Sequence, residues 1–132
     1  MLKSRTSKVL SVAGVFAVAA FGTFAVGADA KSASLLPMPC SNGTAAHAVF
    51  ARQGANYRIG MGASGDGSLG TWHATEIDNS NNVLIDDTYT MTIPQWDIIS
   101  FATLVKGNHS LVIHMENLTT GETCDTTITT KV

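Results

Sequence analysis

Cysteine is scarce in this chain: only Cys40 and Cys124 occur among 132 residues. With no C-x-x-C pair, the spacing that thiol-redox motifs and zinc ribbons require is missing. Charge is thin too, at 14% of residues, and 8 basic residues face 10 acidic ones. That balance weighs against a nucleic-acid partner, which calls for a basic excess or stripe. The four histidines form no H-x-x-x-H or H-x-H. His109 and His114, five apart, point to opposite faces of a strand and cannot share an ion, and His73 and Glu76 oppose each other likewise. Beyond residue 40 no stretch repeats its apolar residues at helical spacing, which excludes helical bundles and helix-covered sheets.

What is present begins with an address. Lys3, Arg5 and Lys8 form a cationic start, Val9 to Ala28 carry no charge, and Ala28-Asp29-Ala30 closes the run with small residues where a signal peptidase needs them. Residues 1–30 are therefore expected to be a signal peptide cut between Ala30 and Lys31, giving a secreted product. An uncleaved anchor is the competitor, since about 18 or more apolar residues span a bilayer, but the Ala- and Gly-rich run makes a weak span. No stable membrane insertion is expected after cleavage. Residues 31–132 hold five basic and nine acidic residues, a formal charge of −4. Cys40 is not a lipid-anchoring cysteine, because Pro37-Met38-Pro39 precedes it in place of small residues.

In an oxidising compartment Cys40 and Cys124 allow one intramolecular pairing. They enclose nearly all of residues 31–132, and closing so long a loop stabilises a fold by about 4–5 kcal/mol in the chain-entropy model.

Residues 31–39 read as an irregular leader, because Pro37 and Pro39 deny regular hydrogen bonding. From residue 40 to 132 alternation of period two recurs. Tyr57, Ile59 and Met61 share a face, as do Leu111, Ile113 and Met115, and as do Cys124, Thr126, Ile128 and Thr130. Val83, Ile85, Tyr89, Met91 and Ile93 share another, with Asp87 an acidic intruder on that apolar side. Ala45 to Arg52 and Ile98 to Val105 are apolar on both faces, and Thr71 to Ile77 carries Trp72. Turn signals separate these segments at 62–70, 78–82, 106–108 and 117–121. About seven short strands at this spacing predict a single antiparallel β-sandwich over residues 40–132, with a small β-barrel as the alternative. The three short turns in the second half are expected to close hairpins.

Gly70-Thr71-Trp72, the asparagine-rich turn at 78–82, Lys106-Gly107-Asn108-His109 and Gly121-Glu122-Thr123-Cys124 resemble features of small exported immunoglobulin-like or fibronectin-like domains. The leader is similar to those of Gram-positive, particularly actinobacterial, exported proteins. The resemblance implies a β-sandwich fold and carries over no active site. It departs from immunoglobulin domains in its cysteines, which there join two inner strands around a buried tryptophan, whereas Cys40 and Cys124 sit near the first and last strands and would tie the chain ends together.

Several motifs invite a chemical reading and lack the context for it. Gly60-Met61-Gly62-Ala63-Ser64-Gly65 matches G-x-G-x-x-G, but no helix follows to present its N-terminus to a phosphate. In Gly65-Asp66-Gly67-Ser68-Leu69 an inserted glycine breaks the Gly-Asp-Ser-Leu esterase block, and no G-x-S-x-G is present. Asp78, Ser80 and Asn82 alternate as calcium ligands do, yet Val83 stands where the loop needs glycine. No cofactor or metal is expected.

Asn42, Asn108 and Asn117 head glycosylation sequons, which matter only in a eukaryotic host. Trp96, beside Pro94-Gln95 in an expected connection, and Trp72 are the candidate contacts for an extracellular protein or glycan, against the ordinary role of aromatics in a core. The reading is a secreted, non-enzymatic binding or interaction module. The alternative is a small secreted enzyme or effector whose site assembles only in three dimensions, around His73, Asp86, Asp87 or His114; a buried Asp87 would support it.

Overall fold

The computed structural model describes residues 8–10, 23–26 and 34–132. Ten strands follow in order: β1 (Lys8–Leu10), β2 (Thr23–Val26), β3 (Ser34–Met38), β4 (Ala45–Gln53), β5 (Asn56–Ser64), β6 (Gly70–Asp78), β7 (Asn82–Met91), β8 (Gln95–Ala102), β9 (Asn108–Asn117) and β10 (Thr123–Lys131), with one 3-10 turn at Asp66–Ser68. Two four-stranded antiparallel sheets face each other as a sandwich, β8-β5-β4-β3 and β10-β9-β6-β7. The short β1 extends the first beside β8 in antiparallel fashion, and β2 extends the second beside β10 in parallel. Of the expected signal peptide only these two segments are described; the proposed cut at Ala30 lies outside the described residues.

The seven expected strands are all present, and β3 is an eighth. The leader expected to be irregular is thus partly extended. Pro37 is tolerated because β3 is the margin of its sheet, with His47 of β4 opposite on one side, and proline in a sheet is confined to such edges.

Alternation places the core. From the first sheet Ala46, Ala48 and Phe50 (β4), Tyr57, Ile59, Met61 and Ala63 (β5), and Trp96 and Ile98 (β8) point inward. They meet Trp72 and Ala74 (β6), Ile85 and Met91 (β7), Leu111, Ile113 and Met115 (β9), and Cys124 and Ile128 (β10). Each large side chain in this set contributes about 1.5–3 kcal/mol by leaving water. On the opposite face of the first sheet Val49 and Ile99 are also buried, as the two-sided apolar pattern of β4 and β8 anticipates.

Connections bring two corrections. The 78–82 and 117–121 turns close the β6-β7 and β9-β10 hairpins, but the Lys106–Asn108 turn does not close one. It carries the chain from β8 in the first sheet to β9 in the second, and Gly107 exchanges two 2.9 Å backbone hydrogen bonds with Val132 just past β10. Trp96, expected in a connection, is in β8. The pairing of β4 with β5 in one sheet also differs from the immunoglobulin order, in which strands B and C belong to opposite sheets.

Cys40 and Cys124 are disulfide-bonded across 84 positions, with Cα atoms 4.1 Å apart. The bridge ties the end of β3, in one sheet, to β10 in the other. Backbone bonds flank it, from Ser41 N to Thr123 O at 2.8 Å and from Asp125 N to Pro39 O at 3.2 Å. Buried Glu122 clasps the same corner: its carboxylate accepts from the amides of Asn42 (2.8 Å) and Thr44 (3.1 Å) and from the Thr44 hydroxyl.

Candidate functional site

Neither tryptophan is at a surface, so the contact role considered for Trp72 and Trp96 gives way to a structural one. Both are fully buried, with ring centroids 5.6 Å apart. Both indole Nε1–H groups donate to the same acceptor, Ser68 O, at 2.9 and 2.8 Å. Ser68 itself is buried, its hydroxyl donating to Gly65 O at 2.6 Å. The broken esterase block is therefore a clamp closing one end of the sandwich, with its serine already committed to the fold.

The structure pairs every histidine with an aspartate. His47 Nε2 and Asp97 Oδ1 are 2.6 Å apart, and both side chains are buried. The pair spans β5 from its two neighbours, in register with Gly62, where a Cβ would stand 2.0 Å from Asp97 Oδ1 and 2.6 Å from His47 Cε1. Here the second glycine of the apparent dinucleotide motif finds its use, as the gap through which two side chains meet. His73 bonds Asp86 at 2.8 Å, and His114 bonds Asp125. These two pairs lie partly exposed on the outer face of the second sheet, among Thr71, Thr75, Thr88, Thr90 and Glu116.

Fourth and most enclosed is His109 with Asp78. Nδ1 lies 2.9 and 2.8 Å from the two Asp78 oxygens, and Nε2 lies 2.6 Å from Val105 O. Each neighbour is an acceptor, so a doubly protonated ring satisfies both. Burial opposes that charge, yet the bond to Val105 O and the Asp78 carboxylate outweigh it and raise the His109 pKa above the ordinary histidine value. Two residues before Asp78 on the same inward face is Glu76, wholly buried, with neither carboxyl oxygen hydrogen-bonded. Burial, reinforced by the negative charge of Asp78, pushes its pKa well above the usual carboxyl range. Both causes favour the protonated carboxyl over the carboxylate.

The His109 end opens to solvent as a shallow depression of about 460 Å³, lined by Asn79, Asn108, His109, Ser110, Thr129, Thr130 and Lys131. Asn79 builds its wall, donating to Asn108 O (3.2 Å) and accepting from Ser110 N (2.9 Å). Positive φ at Asn79 (51°) and Ser80 (70°) makes the β6-β7 connection a tight hairpin turn of the primed kind. Its Asp78 faces inward to His109, which removes it from the alternating calcium set. Among the described residues no group of three or more His, Cys, Asp or Glu side chains is placed to hold a metal ion.

Asp87 is exposed, opposite Ala74 on the marginal strand β7. Solvent satisfies its charge, so it needs no buried partner, and the reason for building a site around it is gone. Of the other residues considered with it, His73, Asp86 and His114 share the outer face of the second sheet. The sequons separate in the same way. Asn42 and Asn108 are exposed, but Asn117 is fully buried: its Nδ2 donates to Leu69 O at 2.9 Å, and its Oδ1 accepts from the amides of Thr119 and Thr120 at 2.9 and 3.2 Å. That side chain holds two turns together and cannot carry a glycan in the folded state.

Sequence reasoning missed Asp78, His109, Glu76 and Glu122 as buried polar groups. The signal for three of them was the alternation itself: Trp72-Ala74-Glu76-Asp78 and His109-Leu111-Ile113-Met115 are continuous inward rows. Comparison with protein-family models, with curated proteins and with solved structures returns no match for this chain.

Proposed function

We propose that this protein is an exported, non-enzymatic binding module that recognises an extracellular protein or glycan. The single observation that carries the reading is where the titratable groups are used. His109 has both ring nitrogens bonded within the fold, His47 and Asp97 are enclosed, and Glu76 has no route to solvent. What reaches solvent beside His109 is an open depression whose lining side chains, Asn79, Asn108, Ser110 and Lys131 among them, carry amide, hydroxyl and ammonium groups. Such a surface suits hydrogen-bonded recognition of a polar ligand, whereas general acid–base work would need a base within reach of a bound substrate, and the partly exposed pairs His73–Asp86 and His114–Asp125 do not line this depression. The disulfide is compatible with an oxidising compartment, and the charged start, uncharged run and small-residue site of residues 1–30 support export.

The test is a glycan array and a pull-down from culture medium with oxidised protein, repeated with Asn108→Ala and Lys131→Ala. Retention of a defined ligand that both substitutions weaken at least tenfold, without chemical change to it, is the expected result. Turnover of a bound ligand would overturn the reading, as would retention that both substitutions leave intact.

A further inference from the structure

We infer that the end of the sandwich holding the depression binds an acidic polysaccharide, laid across both sheets and held by four cations that no carboxylate of the fold pairs.

Backbone register gathers these cations. Arg52 lies opposite Tyr57 beside the β4-β5 turn, and Tyr57 lies opposite Ala102 at the end of β8. Arg58, one residue on, lies opposite Phe101. From β8 the chain runs through Thr103, whose hydroxyl donates to Asn56 Oδ1 at 2.8 Å, to Lys106 and to Gly107, which is bonded to Val132. Lys131 pairs with Asn108, and both line the depression. Arg52, Arg58, Lys106 and Lys131 are all the arginines and lysines of residues 34–132, and they meet at one end of a fold whose net charge is negative.

The acidic residues are elsewhere. The four ion pairs among the described residues all belong to histidines, so none of these cations is neutralised by them. Asp78 is the one acidic side chain at this end, and it is turned inward to His109. An α-carboxylate on Val132 would offset one of the four charges and leave a surplus. Asp86, the nearest exposed carboxylate along a strand, stands four residues past Asn82 at the start of β7. That is about 13 Å at the rise of a strand, beyond the Debye length of about 8 Å at physiological salt. A rim of one sign around a hollow concentrates ligands of the other.

The hollow chooses among anions. Beside the Lys131 ammonium it presents the Asn108 amide and the Ser110 hydroxyl, groups able to hydrogen-bond sugar hydroxyls and carboxylates alike. A bilayer is the rival surface. The exposed apolar side chains nearby are Val105 and Phe101, at 74% and 48%, less than one acyl chain, which itself anchors only marginally. Facing sheets stand about 10 Å apart, so cations drawn from both reach farther than one sugar ring and call for a chain of acidic sugars. The inference rests on the binding reading of the depression and adds the charge and length of its ligand.

The experiment titrates the oxidised protein by calorimetry with oligogalacturonate, dextran sulfate, neutral dextran, polyglutamate and phosphatidylglycerol vesicles. It is repeated with the Arg52→Glu, Lys106→Glu double variant, whose substitutions lie outside the depression. Saturable binding of an acidic sugar is expected, at least tenfold weaker in about 0.5 M than in about 0.05 M salt, and at least tenfold weaker in the double variant with its urea midpoint unchanged. The salt dependence of the parent reports the same charges if the double variant fails to fold. Retention of neither acidic sugar overturns the inference, as does equal retention by the folded double variant. Preference for polyglutamate or for vesicles also overturns it, by giving this end to a protein or a lipid. Neutral dextran held as tightly, and lost on Asn108→Ala, overturns the inference and leaves the depression reading standing. Acidic sugar lost by the double variant but kept by Asn108→Ala supports the cationic end and sinks the depression reading.

Discussion

Replacing Gly62 by alanine adds one methyl group and should cost this fold several kcal/mol. In an open strand the same change gains about 0.4–1 kcal/mol by restricting the unfolded chain. Here the new Cβ would meet Asp97 Oδ1 at 2.0 Å, Trp96 O at 2.5 Å and His47 Cε1 at 2.6 Å. The Asp97 carboxylate can swing aside, but only by abandoning His47; the Trp96 carbonyl is backbone of β8 and moves only with the strand. Overpacking alone costs about 1–3 kcal/mol, and leaving a buried hydrogen-bonding group without its partner about 1–3 kcal/mol. After the entropic gain, a net loss of about 1–5 kcal/mol is expected, a large share of the 5–15 kcal/mol typical of a domain. Urea unfolding of the oxidised protein measures it. An Asp97→Ala background supplies the control: with the carboxylate gone, Gly62→Ala should cost at least about 1 kcal/mol less than in the parent, since coupled neighbours are not additive. A Gly62→Ala protein within about 0.5 kcal/mol of the parent, or an equal cost in both backgrounds, would refute the argument that this glycine exists to let the pair close.

Three further expectations follow from buried polar groups and the bridge. Both Glu76 and His109 have raised folded pKa values. The stability each contributes is therefore complete below its unfolded pKa and is lost as pH rises through its folded one. Denaturation midpoints should fall from pH 5 to pH 8, and Glu76→Gln should flatten the part of that slope that begins near pH 4.5; an unchanged slope would count against a neutral Glu76. Reduction, or Cys40→Ser with Cys124→Ser, should lower stability by about 4–5 kcal/mol, read as the difference in denaturation midpoint with and without reductant; a loss under about 1 kcal/mol would show that the bridge constrains little. In a eukaryotic secretory host, peptide mass mapping of folded protein should find glycans at Asn42 and Asn108 and none at Asn117; folded molecules modified at Asn117 would contradict its buried role.

Alternation made the strands legible. Tyr57, Ile59 and Met61, or Leu111, Ile113 and Met115, needed only the two-residue period to be placed in a core. Partner choice was not legible, because Lys106-Gly107-Asn108 has the same local chemistry whether it reverses the chain within a sheet or carries it across to the other; the difference lies in long-range packing. Pro94 drew Trp96 out of its strand, since a residue ahead of a strand and a residue in a connection look alike around proline. Asp78 and Asn117 were read from local turn and sequon chemistry when each also ended an inward row. Where a local motif and a periodic pattern disagreed, the pattern decided burial, because the sheet fixes the direction of each side chain and the motif does not.

The shared acceptor at Ser68 has a spectroscopic consequence. The chain's two tryptophans, one from each sheet, end on a single carbonyl of the 3-10 turn, so all indole emission arises from one pole of the molecule. A fluorescence melt will follow the loosening of that pole, whereas far-ultraviolet dichroism follows the sheets as a whole. If the two curves separate on heating, the first to move names the end at which the sandwich starts to come apart.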